Sequence, residues 1–344
     1  GVVFVGFNDE GRPRRTQPCR HPGGDRRDVG AAAGQSDRRQ PAGGYLVVGR
    51  DPAALQAVYP SAVVAGPWSG SLGNRGDLIR VIDPNGNLAD EVDYQVGGDW
   101  PGLAAAQGSS LELIHPDMEN SRSSAWRASV ESSKTTWQPY TISGVWPQLT
   151  TQGAPADYKE LHLHLVGDGH LAVRNMSLKL NNAGANLLPG NGAGFSTDGS
   201  AAAGWLCQGT HAASYVENAE LHLVADGHGD NRPNRAELDV TGMNQNGNYT
   251  LTFEARWISG KNRLIVQTWD HSFGRSLLLP IPDQLGSAGA ANSVLTAAPL
   301  PQVDSLLHRP AVPKPADPVI VTARVTSVNP LTAVEVVHRA DDAP

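Results

Sequence analysis

The sequence predicts an all-β protein built from β-sandwiches arranged in tandem. Glycine (38 residues) and proline (25 residues) are frequent, whereas charged residues make up only 18% of the 344-residue chain. Short runs rich in Val, Leu and Thr alternate apolar with polar side chains, and turn residues separate these runs. Many short strands joined by tight turns explain both features better than a helical fold does. A chain of this length accommodates about two or three domains.

The composition of residues 1–43 predicts that this segment is irregular and disordered. Between residues 8 and 43 the chain shows no apolar period, and it carries eight arginines and no lysine. An Arg-, Gly- and Pro-rich composition of this kind is typical of chains that cannot bury a core. Because the sequence changes character abruptly at Gly44, an out-of-frame translation of a GC-rich gene is a further hypothesis for this segment.

Regular elements are predicted from Gly44 onward. The run "GYLVV" predicts a strand, and Asp51–Pro60 predicts a short helix whose first residue is the N-cap and whose second is a proline. The run "DPNG" at 83–86 has the residues that a type I turn prefers. We therefore expect Asp77–Ile82 and Leu88–Tyr94 to pair as a hairpin.

The stretch "GSSLELIHPDMENSRSSAWRAS" (residues 108–129) predicts a strand, a polar turn and a returning segment. Leu111 and Leu113 alternate with Glu112, which predicts that the leucines occupy the buried face. Trp126 supplies a large apolar side chain on the returning segment. None of these residues needs a catalytic role, so the stretch does not indicate an active site.

These motifs carry a resemblance to a known family. The order "GYLVVG", "GPWSGSLGNRGDLIRVIDPNGNLADEVDY", "WP" and then the stretch at 108–129 resembles the lamin-tail domain. That domain is an immunoglobulin-like sandwich also found in bacterial surface and secreted proteins. The resemblance covers residues 44–130, and the family's opening strands are not recognisable before it. It implies a structural or interaction module that is incomplete at its N-terminal end.

Alternating runs in residues 131–297 predict a second β-sandwich. Glu160–Val166 ("ELHLHLV") and Glu220–Val224 ("ELHLV") alternate, and "YTLTFEARWI" alternates too. In the latter run, one face is predicted to carry the apolar side chains Leu251, Phe253, Ala255 and Trp257.

This second segment resembles the jelly rolls of carbohydrate-binding modules. The resemblance rests on "ELHLHLVGDGHLAVRNMSLKL", "NLLPGNGAGF", "GWLCQGTHAASYV", "ELHLVADGHGDNRPN" and "YTLTFEARWISGKNRLIVQ". Arg174 and Asn175 replace an acidic pair of the family, and the motif that contains them comes early, which implies a permuted order of strands.

The C-terminal part predicts a linker and the start of a third domain. Six prolines between Pro299 and Pro318 predict a stiff, extended linker over residues 298–318. The runs "PVIVTARV" and "AVEVVHR" in residues 319–344 resemble the first strands of an immunoglobulin-like or fibronectin type III domain. Domains in this order resemble pieces of large secreted or cell-surface bacterial proteins, some of which also carry a CotH-kinase-like domain.

Aromatic residues are the candidate ligand contacts. An aromatic ring stacks on the apolar face of a sugar, while polar side chains bond its hydroxyls. The candidates are Trp205, Tyr215 and Trp269, and for each of them the alternative is an ordinary place in the core. Trp257 lies on an apolar face and is predicted to be core.

Two groups of residues offer metal ligands. The loop that follows the second "ELHL" is rich in hard oxygen ligands suited to structural calcium, with an ordinary ion-free loop as the alternative; the candidates are Asp226, Asp230, Asn231, Asn234 and Asp239. His162, His164 and His222 would converge on zinc if their two strands paired. The alternative places them on a solvated sheet face. No other cofactor is predicted.

Charge and motifs exclude several functions. The formal charge of -7 argues against a nucleic-acid partner. The sequence contains no G-x-S-x-G, H-E-x-x-H or P-loop motif and no apolar run of membrane-spanning length, so we expect neither an enzyme nor a membrane span. Two interpretations remain, a glycan-binding module of an extracellular or cell-surface protein and a structural or adhesive spacer. An accessory part of an enzyme whose catalytic domain lies elsewhere fits either, and the oligomeric state is left open.

Overall fold

The fold is all-β, as predicted: among the residues that the structure describes, 45% lie in strands and 8% in helices. The structure is a computed structural model. It describes residues 2–6, 44–68, 70–83, 85–106, 108–146, 160–188, 204–240, 246–268, 273–314 and 316–337. For residues 2–6 it describes only the backbone.

Among its described residues, the N-terminal region contains three small sheets. A three-stranded sheet has the order β1–β2–β3, and β4–β5 and β6–β7 are two-stranded. Because β1 pairs antiparallel with β2, residues 1–43 are not irregular throughout. The rest of that predicted irregular segment, residues 7–43, lies outside the described residues. The elements are β1 (Val2–Gly6), β2 (Tyr45–Gly49), α1 (Pro52–Val58), β3 (Val63–Ala65), β4 (Gly76–Ile82), β5 (Leu88–Gln95), α2 (Gly102–Ala106), β6 (Leu111–Leu113) and β7 (Trp126–Ala128).

Two local predictions in this region are confirmed. The side chain of Asp51 caps α1 by accepting a hydrogen bond from the Ala54 amide at 3.0 Å. The turn between β4 and β5 closes through a 2.9 Å bond from the Gly86 amide to the Asp83 carbonyl. The predicted hairpin is therefore present, and β4 and β5 pair antiparallel.

The prediction for β6 is wrong. Glu112 is 1% exposed, while Leu111 and Leu113 are only half-buried. The Glu112 carboxylate accepts bonds from the Ser287 hydroxyl at 2.7 Å and from the Ser293 amide at 2.7 Å. A partner segment about 175 residues away therefore reverses the buried face, and alternation alone does not reveal such a partner.

Residues 138–278 contain a two-layer sandwich of ten strands in the described part of the chain. The first sheet has the order β12–β13–β10–β15–β8 and the second β11–β14–β9–β16–β17, and every pair is antiparallel. The strands are β8 (Gln138–Trp146), β9 (Glu160–Leu165), β10 (Gly169–Leu180), β11 (Trp205–Gln208), β12 (Tyr215–Glu217), β13 (Glu220–Ala225), β14 (Arg235–Asp239), β15 (Gly247–Gly260), β16 (Arg263–Thr268) and β17 (Gly274–Leu278).

The hydrophobic core lies between these two sheets. The predicted apolar face of β15 is confirmed, since Leu251, Phe253, Ala255 and Trp257 are all at most 2% exposed. Leucines of β9, in the second sheet, face them, and leucines of β13 lie on the same inner face as β15; all belong to one buried cluster. Polar side chains at the alternate positions consequently lie on the two outer faces of the sandwich.

The C-terminal prediction is wrong in two places. The predicted linker contains a strand, β18 (Gln302–Arg309), which pairs antiparallel with β19 (Ile320–Thr326). Its prolines flank the strand rather than interrupt it, so they do not prevent pairing. The next strand was predicted over residues 333–339; residues 333–337 carry no regular structure, and the other two lie outside the described residues.

Candidate functional site

The outer face of the first sheet carries aromatic and charged side chains in one row. The strand register places Tyr215 opposite His222, His222 opposite Ala172, and Ala172 opposite Arg256. Trp137, just before β8, lies beside Arg256. We call this surface the aromatic face; it consists of Trp137, His170, Arg174, Tyr215, Glu220, His222, Glu254 and Arg256.

Tyr215 marks one end of the aromatic face. Its ring stacks on that of His222 with centroids 4.6 Å apart and planes 4° apart, and the residue is 37% exposed. His170 Nε2 and His222 Nδ1 share a hydrogen bond of 2.9 Å. Burial lowers the pKa of His170 to about 3 and also lowers the pKa of His222. Both imidazoles are therefore neutral near neutral pH, and Tyr215 rests on an uncharged support.

Trp137 marks the other end. The guanidinium carbons of Arg174 and Arg256 lie over its ring, 4.1 and 4.7 Å from the centroid. Arg174 donates to Glu254 at 2.6 Å, and Arg256 donates to Glu220 at 3.1 Å. Each cation is thus paired with a carboxylate, and this pairing fixes the guanidinium groups against the indole.

The two aromatic ends come from opposite edges of the first sheet. Four strand-to-strand steps, roughly 19 Å at the usual spacing, separate the backbones of β12 and β8, and the Trp137 ring reaches inward to Arg174 of β10 and Arg256 of β15. Between the rings lie carboxylates and guanidinium groups, which bond hydroxyl groups well. Aromatic rings beside such polar groups suit the recognition of a sugar.

A second cluster lies on the outer face of the second sheet. His162 Nε2 is 2.8 Å from Glu160 Oε2 and 4.0 Å from Glu237 Oε2. Arg235 donates from Nε to Glu237 at 2.5 Å, and its guanidinium lies 3.5 Å from Glu160. His162 is 2% exposed, so these charges lie close to the sheet rather than in bulk solvent.

A cavity of about 380 Å³ is lined in part by His164, whose ring centroid lies 5.6 Å from that of His162. His164 lies at its edge, where Nδ1 is 3.1 Å from the Asn234 carbonyl and Nε2 is 3.1 Å from Gln267 Nε2. The polar residues that line it are His164, Asp168, Thr210, Asn234 and Gln267.

Of the three predicted ligand aromatics, the two that the structure describes do not come together. Trp205 is 6% exposed and belongs to the core between the sheets, which is the alternative place considered for it. Tyr215 is exposed on the aromatic face. Trp269 lies outside the described residues.

The predicted calcium ligands bond mainly to the protein's own backbone. Asp230 Oδ1 accepts from the amides of Gly209 and Arg232 at 2.8 and 2.9 Å. Asn234 accepts from the Thr210 amide at 3.0 Å, and Asp226 accepts from the His228 amide at 3.0 Å. Asp239 lies on β14 and Asn231 in the loop before it. These contacts describe side chains that shape a loop.

The two "ELHL" strands do not pair. β9 belongs to the second sheet and β13 to the first, so His162 and His222 lie on opposite outer faces of the sandwich. Three imidazoles therefore do not converge. The alternative of a solvated face is also wrong for His162 and His222, which are 2% and 6% exposed, because carboxylates and a tyrosine ring cover them.

Sequence reasoning missed Trp137 and its two arginines. The alternation of β15 places Arg256 on the outer face, and this was the one sequence signal that pointed to the site. Trp137 gives no periodic signal because it precedes its strand, and only the pairing of β8 with β15 brings it over the arginines.

Among the described residues, no helix is long and apolar enough to cross a membrane. No family model, curated protein or solved structure matches the chain. The lamin-tail and carbohydrate-binding-module resemblances therefore stay predictions, and the case for a function depends on the geometry of the two outer faces.

Proposed function

We propose that residues 131–297 are a non-catalytic, glycan-binding sandwich of a secreted or cell-surface protein. The aromatic face is the proposed binding surface. In the same proposal, residues 44–130 are a lamin-tail-type structural module and residues 131–297 have a jelly-roll topology, in which the chain crosses repeatedly between two sheets.

One observation carries the proposal. Two aromatic rings, Tyr215 and Trp137, flank a row of paired carboxylates and guanidinium groups on a regular sheet. Each ring rests on an imidazole or guanidinium group that limits its motion, so little side-chain freedom is lost when a ligand stacks on it. A purely structural spacer has no need for a half-exposed tyrosine stacked in this way.

The test is retention of the full chain on immobilised polysaccharides, after a glycan array has selected them. Tyr215→Ala and Trp137→Ala should each weaken binding about tenfold, since a stacking contact of this kind contributes roughly 1.4 kcal/mol. Leu206→Ala is the matched control, because Leu206 is 46% exposed on the outer face of the opposite sheet.

Three outcomes would contradict the proposal. If the wild-type chain binds no glycan, the structural or adhesive spacer is the better interpretation. If both aromatic variants bind as the wild type does, the site lies elsewhere. Turnover of a glycan by this chain would show that it is catalytic.

A further inference from the structure

We propose that Glu160, His162 and Glu237 form a binding site for a divalent transition-metal ion such as zinc. Each residue offers one ligand atom, and these three atoms lie within 4.8 Å of one another. Among the described residues, this is the one group of three or more His, Cys, Asp or Glu side chains whose ligand atoms lie that close together. The site is separate from the aromatic face, so it does not depend on the proposed glycan function.

The backbone itself holds these ligands together. Glu160 and His162 are two residues apart on β9 and therefore project from the same face. Glu237 on β14 is the direct cross-strand partner of His162, which brings the two side chains side by side. Ligands on two paired strands in the middle of a sheet move less than ligands on a loop, so the site is organised before the ion arrives.

The ligand types select the metal. An imidazole nitrogen with two carboxylate oxygens suits zinc, whereas calcium prefers a larger set of oxygens alone. Three protein ligands leave a fourth position for water. The exposed fractions of the Glu160 and Glu237 side chains, 27% and 16%, let an ion reach the carboxylates from solvent.

Arg235 shows that the cluster attracts positive charge. Its guanidinium contacts both carboxylates, at 2.5 Å to Glu237 and 3.5 Å to Glu160. Two carboxylates and one guanidinium leave a net charge of about -1, so a dication is still attracted electrostatically. Arg235 would remain as a hydrogen-bond partner that orients the Glu237 carboxylate.

The repeated "ELH" motif of the first sheet gives an internal contrast. Glu220 and His222 have the same spacing, with 3.7 Å between Glu220 Oε2 and His222 Nε2. The cross-strand partners of His222 are Ala172 and Tyr215 rather than a carboxylate, and Arg256 pairs with Glu220. The cross-strand Glu237 therefore distinguishes the proposed metal site from its counterpart.

The experiment is calorimetric titration of the full chain with zinc chloride, supported by the visible absorption spectrum with Co²⁺. We expect one saturable site and the absorption bands of tetrahedral cobalt. Glu237→Gln keeps the shape of the side chain but removes its charge, and should weaken zinc binding by about tenfold or more. His162→Ala should abolish the cobalt bands.

Two controls keep the result interpretable. His228→Ala removes a histidine that is 79% exposed in another loop, and should leave the affinity unchanged. Far-ultraviolet circular dichroism establishes that each variant is folded, and if His162→Ala is not, Glu237→Gln decides alone. The proposal is overturned if the wild type shows no saturable binding, if Glu237→Gln binds as tightly as the wild type, or if His228→Ala removes the site.

Discussion

Replacing Glu131 by alanine should loosen the protein at Gly286, although Glu112 still holds the neighbouring Ser287. Glu131 is 0% exposed, although it is charged. Its carboxylate accepts a 2.7 Å bond from the buried amide of Gly286, a bond from the Ser129 hydroxyl, and a 2.8 Å ion pair from Lys134. Lys134 also donates to the Gly286 carbonyl, so both the amide and the carbonyl of Gly286 are hydrogen-bonded.

The expected cost is about 3 kcal/mol. A buried amide left without a partner contributes roughly 2 kcal/mol, and the remaining bonds contribute about 1 kcal/mol. The ion pair adds little because the Lys134 side chain is 32% exposed and the interaction is screened by solvent. Glu131→Gln keeps an acceptor for the Gly286 amide and should cost roughly half as much.

Amide hydrogen exchange measures this local loss directly, which avoids assuming that a chain with several parts unfolds in one step. Exchange at Gly286 should become about a hundredfold faster in Glu131→Ala. Asp93→Ala, which removes an exposed carboxylate from β5, should leave exchange at Gly286 unchanged. Unaltered protection of Gly286 in Glu131→Ala would refute the reasoning, because the segment would then be held by other contacts.

Two further predictions concern the sandwich. His211 Nε2 accepts a 2.8 Å bond from the Leu165 amide, and burial lowers the pKa of His211 to about 4. His211 therefore binds a proton more readily in the unfolded chain than in the folded protein. Its neutral form contributes about 3 kcal/mol to the stability of the fold above about pH 6.5, and this contribution is lost as the pH falls towards about 4. The stability advantage of the wild type over His211→Gln, measured by amide hydrogen exchange in β9, should shrink accordingly, and a constant difference would contradict this. Gly108→Ala should cost more than about 2 kcal/mol, because φ is +87° and the new Cβ would lie 2.6 Å from the buried Trp257 ring. Gly86→Ala, with φ +83° and nothing within 4 Å, should cost only about 1 kcal/mol, and equal losses in the two variants would argue against the clash.

Local patterns were sufficient for the elements that depend on neighbouring residues. The helix after Asp51, the turn at Asp83 and the buried face of β15 all follow from caps, turn chemistry and alternation over a few residues. For the same reason, the all-β class followed from composition and from the spacing of turns.

Tertiary structure decided everything that depends on which strand pairs with which. Alternation places His162 and His222 on outer faces, but it does not say that β9 and β13 belong to different sheets or that Glu237 lies opposite His162. The buried position of Glu112 depends on serines about 175 residues away, and Trp137 meets its arginines only because β8 pairs with β15. A period of two fixes the face of a side chain, whereas its partners come from contacts between distant parts of the chain, which no local pattern encodes.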